Sequence, residues 1–149
     1  MQIYKHRQIG TLIIFALGVT ILLLLGIMLQ VPAGPAWIIT AFVLLLLIVS
    51  LFLFWSLTVE ITPQMISVHL GFGTIHKEIR FEDIRAARVV KNPWYYGWGI
   101  RGVPHGWMFN VSGFGAIELE FDNNQRFRIG SDEPQQLLQA IQQQLSKRK

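Results

Sequence analysis

The chain has no cysteine, so disulfides, thiol nucleophiles and Cys-ligated zinc are excluded by inventory. It is also short of charge: 15% of its 149 residues are Asp, Glu, Lys or Arg, against about 25% in an average soluble domain. The shortage is local. From Gln8 to Val59 no side chain is charged, whereas the chain from Glu60 onward carries all nine acidic residues and every basic one except Lys5 and Arg7. Two solvents are implied, lipid first and water after. The formal charge of +4 and a pI near 9.8 are modest for a nucleic-acid binder, and a basic membrane protein more readily faces anionic lipid. No nucleic-acid partner is expected.

What the chain does have is long apolar runs. Residues 9–29, "IGTLIIFALGVTILLLLGIML", are uncharged, and about 20 residues at 1.5 Å each cross a hydrocarbon core of about 30 Å. Residues 37–57 form a second run of the same length. Lipid requires both to be helical, because each backbone N–H and C=O must be satisfied within its own segment. Pro32, Gly34 and Pro35 break the helix between them, which predicts an antiparallel hairpin over residues 1–57. A cleaved signal peptide fits poorly, since signal cores are about 7–15 residues and a second span follows directly. Lys5 and Arg7 precede the first span and the turn has no Lys or Arg, so the positive-inside rule places both termini in the cytoplasm. Trp37 and Trp55 fall near the two ends of the second span, where aromatic belts form. Gly10, Gly18 and Gly26 recur along one helical face. They are either a strip for close helix packing or the ordinary glycine of membrane helices.

After Leu57 the pattern alternates. Residues 57–62, 65–70, 74–79, 84–90, 107–112, 116–121 and 126–130 are short, β-branched and punctuated by turn residues, which predicts seven strands in a domain over 58–149. In "AIELEF" and "RFRI" the acids Glu118 and Glu120 alternate with apolar residues, as do Arg126 and Arg128. If the two strands pair, acidic and basic rows face each other on the wet side. Ser131 and Pro134 open an amphipathic helix over 132–146, with Leu137, Leu138, Ile141 and Leu145 as its apolar stripe and Lys147, Arg148 and Lys149 at its end.

The meander "ITPQMISVHLGFGTIHKEIRFEDIRAARVV", with its Gly71-Phe72-Gly73 turn and the step from Ile79 to Ile84, resembles the bacterial pleckstrin-homology-like domains of small membrane proteins. The resemblance covers residues 58–146. It implies a mainly-β domain, a bent antiparallel sheet or partly open barrel closed by one C-terminal helix, at a bacterial inner or plasma membrane and without enzymatic activity. Phosphoinositide-binding relatives in eukaryotes carry a basic cluster at the first hairpin turn; here that turn is Thr62-Pro63-Gln64, so that ligand is not implied.

Several motifs lead nowhere. Gly97 to Gly102 matches G-x-G-x-x-G, yet Val103-Pro104-His105-Gly106 follows where a phosphate-binding helix would have to begin. Asn110 opens a glycosylation sequon on the expected cytoplasmic side. His6, His69, His76 and His105 lack helical metal-ligand spacing, although His69 and His76 can face each other across a hairpin. No acid, base and nucleophile fall together, so no catalytic residue, metal or cofactor is expected.

The stretch "NPWYYGWGIRGVPHGW", residues 92–107, is the candidate site. It concentrates Trp94, Tyr95, Tyr96, Trp98, Arg101 and Trp107 among glycines and prolines that bar a regular element. Two readings stand side by side. The tryptophans plug one end of a thin core, with Gly97 and Gly99 at positive φ and Arg101 stacked on an indole or paired with Glu82. Alternatively the aromatics meet lipid headgroups or a protein partner, with Arg85, Arg88 and Lys91 as a basic surface beside them. The chain is thus expected to be a membrane-anchored binding or assembly module, or else a subunit of a larger membrane complex that uses the hairpin as its interface.

Overall fold

The computed structural model describes residues 3–147. Strand β1 (Tyr4–Ile9) leads into helices α1 (Thr11–Gln30) and α2 (Pro35–Phe54), followed by β2 (Ser56–Ile61), β3 (Met65–Leu70), β4 (Ile75–Arg80), β5 (Ile84–Lys91), β6 (Gly99–Val103), β7 (Gly106–Asn110), β8 (Gly115–Phe121), β9 (Arg126–Gly130) and helix α3 (Pro134–Ser146). Short 3-10 turns at Phe81–Asp83 and Trp94–Tyr96 flank β5.

Both long helices are apolar all round, and Leu44 is the only residue of either that is buried. Phe15, Leu22, Leu29 and Ile38 are each at least 70% exposed. A core helix of a water-soluble domain would hide such residues against other elements. Each helix is long and apolar enough to cross a membrane. They run 11–30 and 35–54 rather than 9–29 and 37–57, because Pro35 starts the second helix at its first turn and the sheet captures Ser56 and Leu57.

The described residues form nine strands in two sheets, not seven, with orders β1-β2-β3-β4 and β5-β8-β9-β7-β6. The two missed strands have separate causes. Strand β1 lies ahead of the hairpin and pairs antiparallel with β2 from Tyr4 opposite Ile61 to Ile9 opposite Ser56. The hairpin is therefore inserted between neighbouring strands of one sheet, and residues on both sides of it belong to the β domain. Strand β6 crosses the glycine-rich stretch expected to be irregular, paired with β7 through a turn in which His105 has φ 68°. Strands β7 and β9 run parallel rather than antiparallel, because residues 111–114 carry the chain past a gap that β9 later fills.

The inward faces of the two sheets enclose one core, including Leu57, Val59, Ile66, Val68, Ile117 and Ile129, closed by Leu137 and Ile141 of α3. Truncating any one of the leucines or isoleucines among them to Ala is worth about 2–5 kcal/mol. Ser131 accepts a hydrogen bond from the Glu133 N–H at 3.1 Å and so shapes the entry to α3; Arg148 and Lys149 lie outside the described residues.

The junction between helices and sheet has almost no slack. Gly10 alone separates β1 from α1 and Trp55 alone separates α2 from β2, and the Gly10 N–H donates to the Trp55 carbonyl at 2.7 Å. A Cβ at Gly10 would stand 2.9 Å from the Phe54 carbonyl oxygen. Gly71, at φ 57°, brings the β3–β4 turn equally close: its Cβ would stand 2.6 Å from the Leu53 carbonyl oxygen. At that turn the Phe72 ring packs beside Phe52 and Trp55, and the Arg7 guanidinium lies 4.1 Å from the centre of the Trp55 ring.

Candidate functional site

Strand registers place Arg88, Glu118, Arg128, Met108 and Arg101 in one rank across β5, β8, β9, β7 and β6. The neighbouring rank, with Ile117, Ile129 and Phe109, faces the core. The rank thus lies on the outer face of the five-stranded sheet, where Glu120 also pairs with Arg126. The facing acidic and basic rows expected from the sequence are present. Their solvation is not as expected: Glu118 is 1% exposed.

The cover is the aromatic stretch itself. The backbone N–H of Asn92 donates to the Phe114 carbonyl at 2.7 Å, and the Trp98 indole N–H donates to the Gly113 carbonyl at 3.0 Å. These bonds hold residues 92–98 beside the β7–β8 connection. Gly97 and Gly99, at φ 69° and 96°, supply the backbone conformation that side-chain-bearing residues resist.

Beneath this cover Glu118 accepts hydrogen bonds from Arg88 Nε at 3.0 Å and Arg128 Nε at 2.7 Å, with Arg126 Nη1 at 3.6 Å. Arg128 also donates to the buried Asn92 side-chain oxygen at 2.9 Å and lies 5.5 Å from the centre of the Tyr96 ring. Burial pushes the Glu118 carboxyl toward neutrality, but the hydrogen bonds from Arg88 and Arg128, with their charges, outweigh it and hold it below the usual carboxylate range.

The aromatics then step outward. Tyr96 meets Tyr95 edge-on at 5.2 Å, and Tyr95 meets Trp94 edge-on at 6.1 Å. Trp94 is 75% exposed and Tyr95 68%. Of the tryptophans expected to plug the core, Trp98 is half-buried but, with Tyr96, covers the outer face of the sheet rather than the core, and Trp94 is exposed. Trp107 is a further correction to the plug reading. At 60% exposure it plugs nothing, and its register partners Gly102 and Phe127 put it on the alternate face, apart from the other aromatics.

The basic surface is also rearranged. Arg88 is engaged by Glu118. Arg85 is exposed beside a register shift in β5, and Lys91 falls on the face alternate to Arg88, so the three make no common patch. Arg101 neither stacks on an indole nor pairs with Glu82, which binds Arg80 at 2.9 Å. Its Nε donates to the Trp98 carbonyl at 2.9 Å.

Of the glycine strip, Gly10 packs against the α2–β2 junction, whereas Gly18 and Gly26 have no atom within 4 Å of where a Cβ would stand. They do not mediate the contact between α1 and α2. His69 and His76 are cross-strand partners with ring centres 5.8 Å apart, and no group of three or more metal-ligating side chains occurs among the described residues. The Asn110 side chain is buried and donates to the Gly113 carbonyl at 3.1 Å, so it is no sugar acceptor. Sequence reasoning missed Asn92 and the burial of Glu118. The available signal was Arg88, spaced to fall opposite a glutamate flanked by apolar residues.

Searches against protein-family models, curated proteins and solved structures found no match to this chain.

Proposed function

We propose that this chain is an integral membrane protein whose hairpin crosses the bilayer and whose pleckstrin-homology-like β domain is a binding and assembly module at the cytoplasmic membrane surface. Its first contact is with lipid headgroups. The observation that carries this is the pair Trp94 and Tyr95, exposed yet mounted through Tyr96 on a buried ion network. Large aromatics left in water on a rigid base are suited to an interface that is apolar on one side and wet on the other. The chain immediately beyond them returns to the hairpin, where a Cβ at Gly99 would stand 3.8 Å from the Phe54 ring. Lys5 and Arg7, the only charges before the hairpin, support the cytoplasmic assignment of both termini.

A spin label on Tyr95→Cys in the cysteine-free chain tests the lipid contact. In liposomes the label should relax more with oxygen than with a water-soluble nickel chelate. The reverse ratio would place the loop in bulk water and replace headgroups by a protein partner.

A second reading rests on Gly18 and Gly26, whose open surroundings leave that face of α1 free for another helix and suit a subunit of a larger membrane complex. Gently solubilised protein that loses a large species on Gly18→Leu would favour it.

A further inference from the structure

A groove of about 600 Å³ opens where β6 meets the base of the hairpin. One wall is α1 and α2, presenting Leu12, Ile13, Ala16, Leu17, Ser50 and Phe54; the other is the chain from Gly97 to Arg101. The Ser50 hydroxyl is spent on the Leu46 carbonyl at 2.8 Å, so the helical wall offers no free hydrogen-bonding group from it. Leu12 to Leu17 extend about 8 Å along α1, the length of several methylenes. At the mouth stands Arg101. Its Nε is held by the Trp98 carbonyl, which aims the guanidinium while leaving its two terminal nitrogens without an acid among the described residues. No acidic residue lines the groove.

We infer that this groove holds one anionic phospholipid, with an acyl chain against α1 and α2 and the headgroup phosphate on Arg101. The inference rests on the hairpin's crossing the bilayer, since that makes lipid the solvent of the helical wall. An apolar slot with a fixed, unpaired guanidinium at its mouth is complementary to a molecule that is hydrocarbon at one end and phosphate at the other. The groove on another flank of the junction, lined by Lys5, Arg7 and His69, contains Glu60, which takes Lys5 at 2.7 Å. There the Arg7 guanidinium lies over the Trp55 ring, so that groove has no Lys or Arg free of both an acid and an aromatic face. The Gly97 to Gly102 segment thereby acquires a use that its nucleotide-like spacing did not predict: backbone compact enough to lie against two helices.

The test uses the full chain in nanodiscs of equimolar phosphatidylcholine and phosphatidylglycerol, extracted into mild detergent, with retained lipid identified by native mass spectrometry. The expected result is enrichment of phosphatidylglycerol by about tenfold, the size of one charge-assisted contact. Arg101→Gln should abolish the preference, Ala16→Phe should reduce retention of both lipids by filling the slot, and Arg85→Gln should change nothing. Equal retention of the two lipids by the unaltered chain, or enrichment that survives Arg101→Gln, would overturn the inference. So would displacement by soluble glycerol phosphate, which has no acyl chain. The Trp94→Ala/Tyr95→Ala double variant keeps the two readings apart. It should retain the bound lipid, so loss of enrichment with Arg101 intact would place the lipid on the exposed aromatics instead of in the groove.

Discussion

At the scale of single residues, Glu118 decides how much of the aromatic loop is structural. Its folded carboxyl titrates below the unfolded value of 4.5, so its contribution is complete above that value and is lost as pH falls through the depressed one. Thermal unfolding followed from pH 7 downward should show stability declining below about pH 4.5, and Glu118→Gln should remove that part of the acid dependence. At neutral pH the same substitution should cost about 1–3 kcal/mol, from weakened hydrogen bonds to two arginines. The loop itself divides. Trp94→Ala with Tyr95→Ala should leave stability within about 0.5 kcal/mol because both side chains are exposed. Tyr96→Ala or Trp98→Ala should cost about 1–3 kcal/mol through lost cover and the lost Trp98 bond to Gly113. Hydrogen exchange at β8 and β9 distinguishes the two classes. A residue-level reading of the sequence set the row of Glu118 and Glu120 against that of Arg126 and Arg128, since alternation fixes which side chains share a face, and the strand register pairs them so. It left that face wet because nothing local says that a loop more than twenty residues upstream folds back over it.

At the scale of elements, alternation and turn chemistry made seven strands and three helices legible, while pairing decided the rest. "YKHRQI" has too few apolar residues to announce β1, and it is a strand because the exposed edge of β2 offers it backbone partners. "GIRGV" carries two glycines and reads as loop; it becomes β6 because β7 is its hairpin partner. Propensity is weak where the neighbour supplies the ladder. The β3–β4 turn is the element most constrained by the hairpin. Gly71→Val would force a side chain into the carbonyls that end α2 and strain a left-handed φ, at about 1–3 kcal/mol. Increased exchange confined to β3, β4 and the last turn of α2 is the expected signature.

At the scale of the whole molecule, the two ends of the hairpin meet at one place, because β1 and β2 are neighbours in a single sheet. Single cysteines placed in the natural cysteine-free background test this directly. In sealed right-side-out vesicles a membrane-impermeant maleimide should label Ala33→Cys, in the hairpin turn, nearly completely and Ser146→Cys, near the end of α3, hardly at all until the membrane is opened. Labelling of Ser146→Cys alone would reverse the topology, and labelling of both from outside would mean that the hairpin does not cross. Composition alone separated the two long apolar helices from the β domain to within a few residues, since the uncharged interval from Gln8 to Val59 needs no fold to be recognised, although its ends belong to β1 and β2. The way the two parts join was not legible, because it is held by backbone contacts at Gly10, Trp55 and Gly71 that leave little trace in residue type.

One residue on each side of the hairpin leaves no room for a tether. A head joined to its stalk this stiffly cannot swivel to search for a target. With the hairpin across a bilayer as proposed, it would be held in a layer of fixed height, and a target would have to reach that layer by moving in the plane. Conversely, under the same proposal, a change in helix tilt from bilayer thickness or a neighbouring span would reach the sheet as a change in the angle at which the exposed aromatics are presented.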